Sequence, residues 1–104
     1  MILYNVTVSI DEAVHDDWLK WMKEVHIPDV MATGLFLESR IARIHAEEEG
    51  GLSYAISYLC ESKAVLEQYN TLFAPKLQRE HALRYNGQFA AFRTILEVVG
   101  EFKK

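Results

Sequence analysis

The sequence predicts an α+β domain of six elements in the order strand, helix, strand, strand, helix, strand. Three observations carry that expectation. Residues 2–10 alternate apolar and more polar side chains with a period of two, later stretches alternate around an acidic, glycine-bearing turn, and two segments between the strands repeat apolar residues at helical spacing.

In the first strand, Ile2, Tyr4, Val6, Val8 and Ile10 form one apolar face and Leu3, Asn5, Thr7 and Ser9 the more polar one. Asp11 is the expected N-cap of a helix with Glu12, Asp16 and Asp17 early, where the helix dipole favours negative charge. Val14, Trp18, Trp21, Met22 and Val25 make the apolar stripe of that helix, which is expected to run to about His26. Pro28 and Gly34 then bracket a short irregular or one-turn segment. Leu35 to about Ala46 reads as a partly buried strand, Glu47 to Gly51 as a turn, and Leu52 to Tyr58 as the antiparallel partner strand. Ser62 caps a second helix with the stripe Val65, Leu66, Tyr69, Leu72 and Phe73, and Pro75 breaks or kinks it before a piece carrying Leu77, His81 and Leu83. Asn86-Gly87 is a stop signal, and Phe89 to Val99 closes the chain as a strand.

A βαββαβ order with one hairpin implies two right-handed crossovers, a four-stranded antiparallel sheet, and both helices on one face: the ferredoxin-like arrangement. The opposite face is expected to hold Leu3, Thr7, Leu37 and Ile95 together with Arg93 and Glu97. Such a mixture suits neither solvent nor a dry core, so the sheets of two copies are expected to pack as a dimeric α+β barrel. The charges on that face, with Glu38, Arg40 and Arg43 on the second strand, would form a polar network fixing the register between subunits.

At 104 residues the chain is expected to be one domain, residues 1–104. With 15 acidic and 11 basic residues its net charge is −4, and no Lys or Arg cluster offers a surface to nucleic acid or an anionic membrane. No apolar run approaches the roughly 20 residues that span a bilayer, and the first residues are expected to form a strand rather than a secretion signal. The single Cys60 forms no intrachain disulfide, which suits a reducing cytoplasm.

The whole chain resembles the family of short bacterial proteins catalogued as domain of unknown function 4286. The resemblance lies in Tyr4-Asn-Val-Thr-Val8, His15-Asp-Asp-Trp18 with Trp21-Met22, His26-Ile-Pro28 leading to Ala32-Thr-Gly34, Ala74-Pro75, and Phe89-Ala-Ala-Phe-Arg-Thr94. It implies a ferredoxin-like unit similar to the dimeric α+β barrel superfamily and transfers no activity. Within that superfamily, His26-Ile-Pro28 resembles a His-x-Pro motif of some barrel isomerases and degradative enzymes. Haem-degrading members use an asparagine of the first strand and a histidine of the second helix, and Asn5 and His81 fall in those elements. Those enzymes also use a tryptophan on the third strand, where this chain has Tyr54 or Tyr58.

His26 is the candidate catalytic residue: an imidazole titrates near neutrality, and a helix C-terminus would favour its charged form. The bland alternative is a helix cap followed by a stop. Tyr4, Asn5, Trp18, His81 and Arg93 are the candidate ligand contacts, with Trp21 beside them; Tyr85, one turn beyond His81, would orient its imidazole. No metal-ligand spacing occurs, and no cofactor is expected. The leading expectation is a cytoplasmic homodimer that binds a small planar or acidic molecule between helices and sheet. The alternatives are a cofactor-independent monooxygenase or isomerase using His26, and a structural or protein-binding module filled by its own side chains.

Overall fold

A computed structural model describes residues 1–46 and 50–104, so Glu47, Glu48 and Glu49 of the expected turn lie outside the described residues. Strand β1 spans Ile2–Asp11, β2 Glu38–Arg43, β3 Gly51–Cys60 and β4 Phe89–Glu97. They form one antiparallel sheet in the order β2-β3-β1-β4, the order that two crossovers around a hairpin produce. Period-two alternation sends Ile2, Tyr4, Val8 and Ile10 of β1 and Tyr54, Ile56, Tyr58 and Cys60 of β3 into the core beneath the helices.

The first crossover departs from the expected helix. Asp11 makes no side-chain cap, and Glu12–Val14 form a short 3-10 turn instead. Helix α1 (His15–Trp21) passes without interruption through a π-helical turn (Met22–His26) into α2 (Ile27–Met31). The helix therefore does not stop at His26. Pro28 has no N–H for the Glu24 carbonyl, and its ring would collide with that oxygen in a regular α-turn. The wider turn relieves the clash, with the Ile27 N–H donating to Met22 one residue further back than usual.

The second crossover follows the sequence closely. Ser62 caps α3 (Lys63–Leu72) by accepting the Val65 N–H at 3.3 Å, and Pro75 sits in the first turn of α4 (Ala74–Arg84), after a break at Phe73. Gly87, at φ +73°, turns the chain into β4. Strand β2 is shorter than expected, because residues 35–37 form an irregular lead-in that buries Phe36 among Tyr4, Tyr58 and Tyr69.

The phase of β4 is also corrected. Arg93 lies opposite Val6, Ile95 opposite Tyr4 and Glu97 opposite Ile2, so all three belong to the helix side rather than the open sheet face and its expected polar network. The open face receives Phe92 beside Thr7 and Leu96 beside Leu3, and these apolar side chains are 63% and 44% exposed.

Candidate functional site

A cavity of about 60 Å³ lies between the helices and the sheet. Its sheet wall is Tyr4, Val6 and Val8 of β1, Ile56 and Tyr58 of β3, and Phe89, Ala91 and Arg93 of β4; its helix wall is Met22, His26, Tyr69, Gln78 and His81. Gln78 and Arg93 are the exposed members, so the cavity opens between α4 and the edge strand β4.

The π-turn positions His26. Five residues along a regular α-helix are about 140° out of alignment, whereas the wider turn brings His26 back over Trp21, with ring centres 5.1 Å apart and planes 28° apart. Trp21 also carries Arg84, whose guanidinium stands over the ring 5.4 Å from its centre. Arg84 in turn belongs to a clasp between the end of α4 and α1. In that clasp Tyr85 donates its hydroxyl to Asp17 at 2.8 Å, while Arg84 Nε donates to the Tyr85 oxygen at 3.1 Å and Nη2 stands 3.5 Å from the same carboxylate.

His81 is set by a residue the sequence placed beside the ligand rather than behind the imidazole. The fully buried Trp18 donates its indole N–H to His81 Nε2 at 2.9 Å, while the hydroxyl of Tyr85 is engaged elsewhere. The His81 ring stands edge-on to Phe89 at 4.4 Å and 5.8 Å from the His26 ring, with the two imidazole planes 62° apart. Burial lowers the pKa of both histidines to about 4; for His81 the neighbouring His26 and Arg93 add to the effect. Both are neutral at pH 7, contrary to the charged His26 expected at a helix end, because the helix continues past it and desolvation outweighs the dipole. His26 Nδ1 is buried with no hydrogen-bond partner.

Arg93 stands beside the Tyr4 hydroxyl. Burial raises the pKa of Tyr4, which Arg93 partly opposes, and pushes Tyr69 up to about 12 and Tyr58 higher still, so all three phenols stay protonated. The lining thus holds one cation and no carboxylate.

The structure brings Tyr4, His26, His81 and Arg93 together around one cavity and leaves Asn5, Trp18 and Trp21 out of its lining. Asn5 faces the opposite side of the sheet, where its amide donates to Thr7 Oγ1 at 3.1 Å. Trp18 touches His81 from behind. Tyr58, Tyr69 and Gln78 were missed as lining residues; Tyr69 was legible only as an apolar position on a helical stripe. His15 is engaged elsewhere, with Nε2 2.6 Å from the Tyr54 hydroxyl and Nδ1 2.9 Å from Asp16. Among the described residues, no group of three or more His, Cys, Asp or Glu is arranged to hold a metal, and no helix is long and apolar enough to cross a membrane.

These elements define an α+β protein of ferredoxin-like fold with a small cavity under its helices. The chain belongs to the family described as Domain of unknown function (DUF4286), which it matches over residues 1–99. It is similar in fold to a dimeric ferredoxin-like protein from an uncultured marine organism, at 15% identity and a TM-score of 0.76 with both chains fully covered. It is also similar to HapK from Hahella chejuensis, at 10% identity and a TM-score of 0.74, over 100% of this chain and 98% of that one. A third similar structure is a substituted form of MhuD with two manganese protoporphyrin IX molecules bound per active site, at 16% identity and a TM-score of 0.73 over the whole of both chains. No curated protein matches the chain in sequence.

Proposed function

We propose that the protein is a cytoplasmic homodimer that binds a small planar organic anion in the cavity between helices and sheet. The observation that carries this reading is the polarity of the lining: Arg93 is its sole charge, beside two neutral imidazoles and three protonated phenols, in a chain of net charge −4. A guanidinium at the rim takes a carboxylate in its fork, and the walls of Tyr4, Tyr58, Tyr69 and Phe89 suit a flat apolar body. The exposed Phe92 and Leu96 on the open sheet face, together with the dimeric state of the similar marine protein, support the homodimer. The lone thiol, Cys60, is buried and free, in keeping with a reducing compartment.

Benzoate and its neutral isostere benzamide test the ligand class. Benzoate is expected to raise the melting midpoint while benzamide does not, and Arg93→Gln, at an exposed position, is expected to weaken benzoate at least tenfold. Equal responses to the two compounds, or an Arg93→Gln protein that binds benzoate unchanged, would sink this reading.

A porphyrin of the kind bound by MhuD does not fit these residues. The cavity is about 60 Å³, Asn5 is on the far side of the sheet from His81, and His81 Nε2 already accepts the Trp18 N–H. One observation favours a second reading, a cofactor-independent isomerase or oxygenase: His26 Nδ1 is a buried, unpartnered nitrogen on a neutral ring beside the cavity. There His26 would take a proton from a bound anion while hydrogen bonds hold the developing charge. His26→Gln would then abolish turnover and spare the dimer.

A further inference from the structure

We propose that Trp18 is the positioning residue of this cavity: its indole N–H, held on Nε2 of His81, fixes the imidazole proton on Nδ1, making His81 a permanent hydrogen-bond donor to a ligand oxygen and closing it to metal ions. The inference rests on the ligand-binding reading for the oxygen and on geometry alone for the rest.

Indole nitrogen carries a donor and no acceptor. A buried Trp18 N–H at 2.9 Å from His81 Nε2 therefore requires a lone pair on that nitrogen, and the neutral ring's one proton resides on Nδ1. Four consequences follow from the same bond. Protonating Nε2 would set two N–H groups against each other. His81 thus does not accept a proton there, and it cannot release the Nδ1 proton without leaving an imidazolate. A metal at Nε2 would have to displace the indole. A metal at Nδ1 would move the ring proton to Nε2, against the Trp18 donor, whereas a metal-bound histidine needs an acceptor behind its other nitrogen.

What remains is a fixed N–H on a wall of a cavity whose one cation is Arg93. The ligand is then an anion with two oxygen functions, a carboxylate at Arg93 and a carbonyl, enolate or hydroxyl oxygen at His81. The second reading, if it holds, leaves proton transfer to His26 alone and gives His81 the task of holding charge on the oxygen.

The test is a long-range 1H–15N correlation spectrum of the 15N-labelled wild-type protein at pH 7, with the His81→Gln variant assigning the ring. The expected result is a protonated, pyrrole-type Nδ1 and an unprotonated, pyridine-type Nε2, unmoved by equimolar Zn2+. A protonated Nε2, shifts averaged between tautomers, or Zn2+-dependent displacement of the His81 signals would overturn the proposal. Trp18→Phe is expected to give a tautomer mixture, and a folded variant that keeps Nδ1–H alone would overturn the role of Trp18. Should that variant fail to fold, the wild-type spectrum still decides. Salicylate, which carries a second oxygen beside its carboxylate, is expected to bind at least threefold more tightly than benzoate in the wild type, with that advantage lost in His81→Gln. Equal affinities in the wild type would overturn the oxygen contact; loss of all carboxylate binding with the Nδ1–H tautomer intact would instead remove the anion-binding reading and with it the ligand half of this proposal.

Discussion

His26 and His81 carry the clearest residue-scale consequence, because both are held neutral by burial. In the unfolded chain each titrates near 6.5, and in the folded protein at about 4. Between those values the unfolded state binds more protons, so stability is complete above about pH 6.5 and falls as the pH drops toward 4, by on the order of a few kcal/mol for the pair. Urea unfolding at pH 7.5 and pH 5 is expected to show that loss, and His26→Gln is expected to reduce it; a midpoint independent of pH over this window would contradict the burial argument. The sequence made both histidines visible as candidates. It did not reveal that Trp18, 63 residues from His81, supplies the partner, since a stripe of apolar positions records which side chains face inward and not which polar edge of an indole meets which nitrogen.

At the scale of elements, the segment around Pro28 differs most from what its sequence suggests. A proline after a histidine reads as a stop, yet the chain absorbs the missing N–H in one widened turn and continues to Met31. Replacing Pro28 by Ala supplies the N–H that a regular α-turn donates to Glu24 and should convert the turn to regular α-helix, carrying His26 away from Trp21. The expected readouts are a changed ring-current shift at the Trp21 indole and a benzoate affinity lowered at least threefold; unchanged indole shifts would show that the proline does not hold the turn. Helix α3 is the opposite case, because its start was legible: Ser62 accepts the Val65 N–H, and Ser62→Ala should lower unfolding free energy by about 1 kcal/mol in urea. A local cap can be read from four consecutive residues, whereas the cost balance at Pro28 depends on what the following turn packs against.

For the whole molecule, the order of elements, the sheet and the side bearing the helices were all legible, because alternation and helical spacing are properties of neighbouring residues. The phase of β4 was not. Alternation divides a strand into two faces without saying which is inward, and here the inward set at the cavity is Ala91 and Arg93, while the bulkier Phe92 and Leu96 face outward. That arrangement leaves an apolar belt of Leu3, Phe92 and Leu96 on the open sheet face, and Phe92→Glu is expected to convert a dimer to monomers in size-exclusion chromatography with light scattering. A monomeric wild type would dispose of the barrel arrangement. Phe92 and Arg93 are consecutive, so one peptide unit carries a side chain to each face of the sheet, and in the proposed dimer any coupling between association and anion binding is reciprocal. Positive coupling would be read as benzoate binding that tightens when the protein concentration is raised through the range where the proposed dimer forms, with saturating benzoate in turn opposing its dilution.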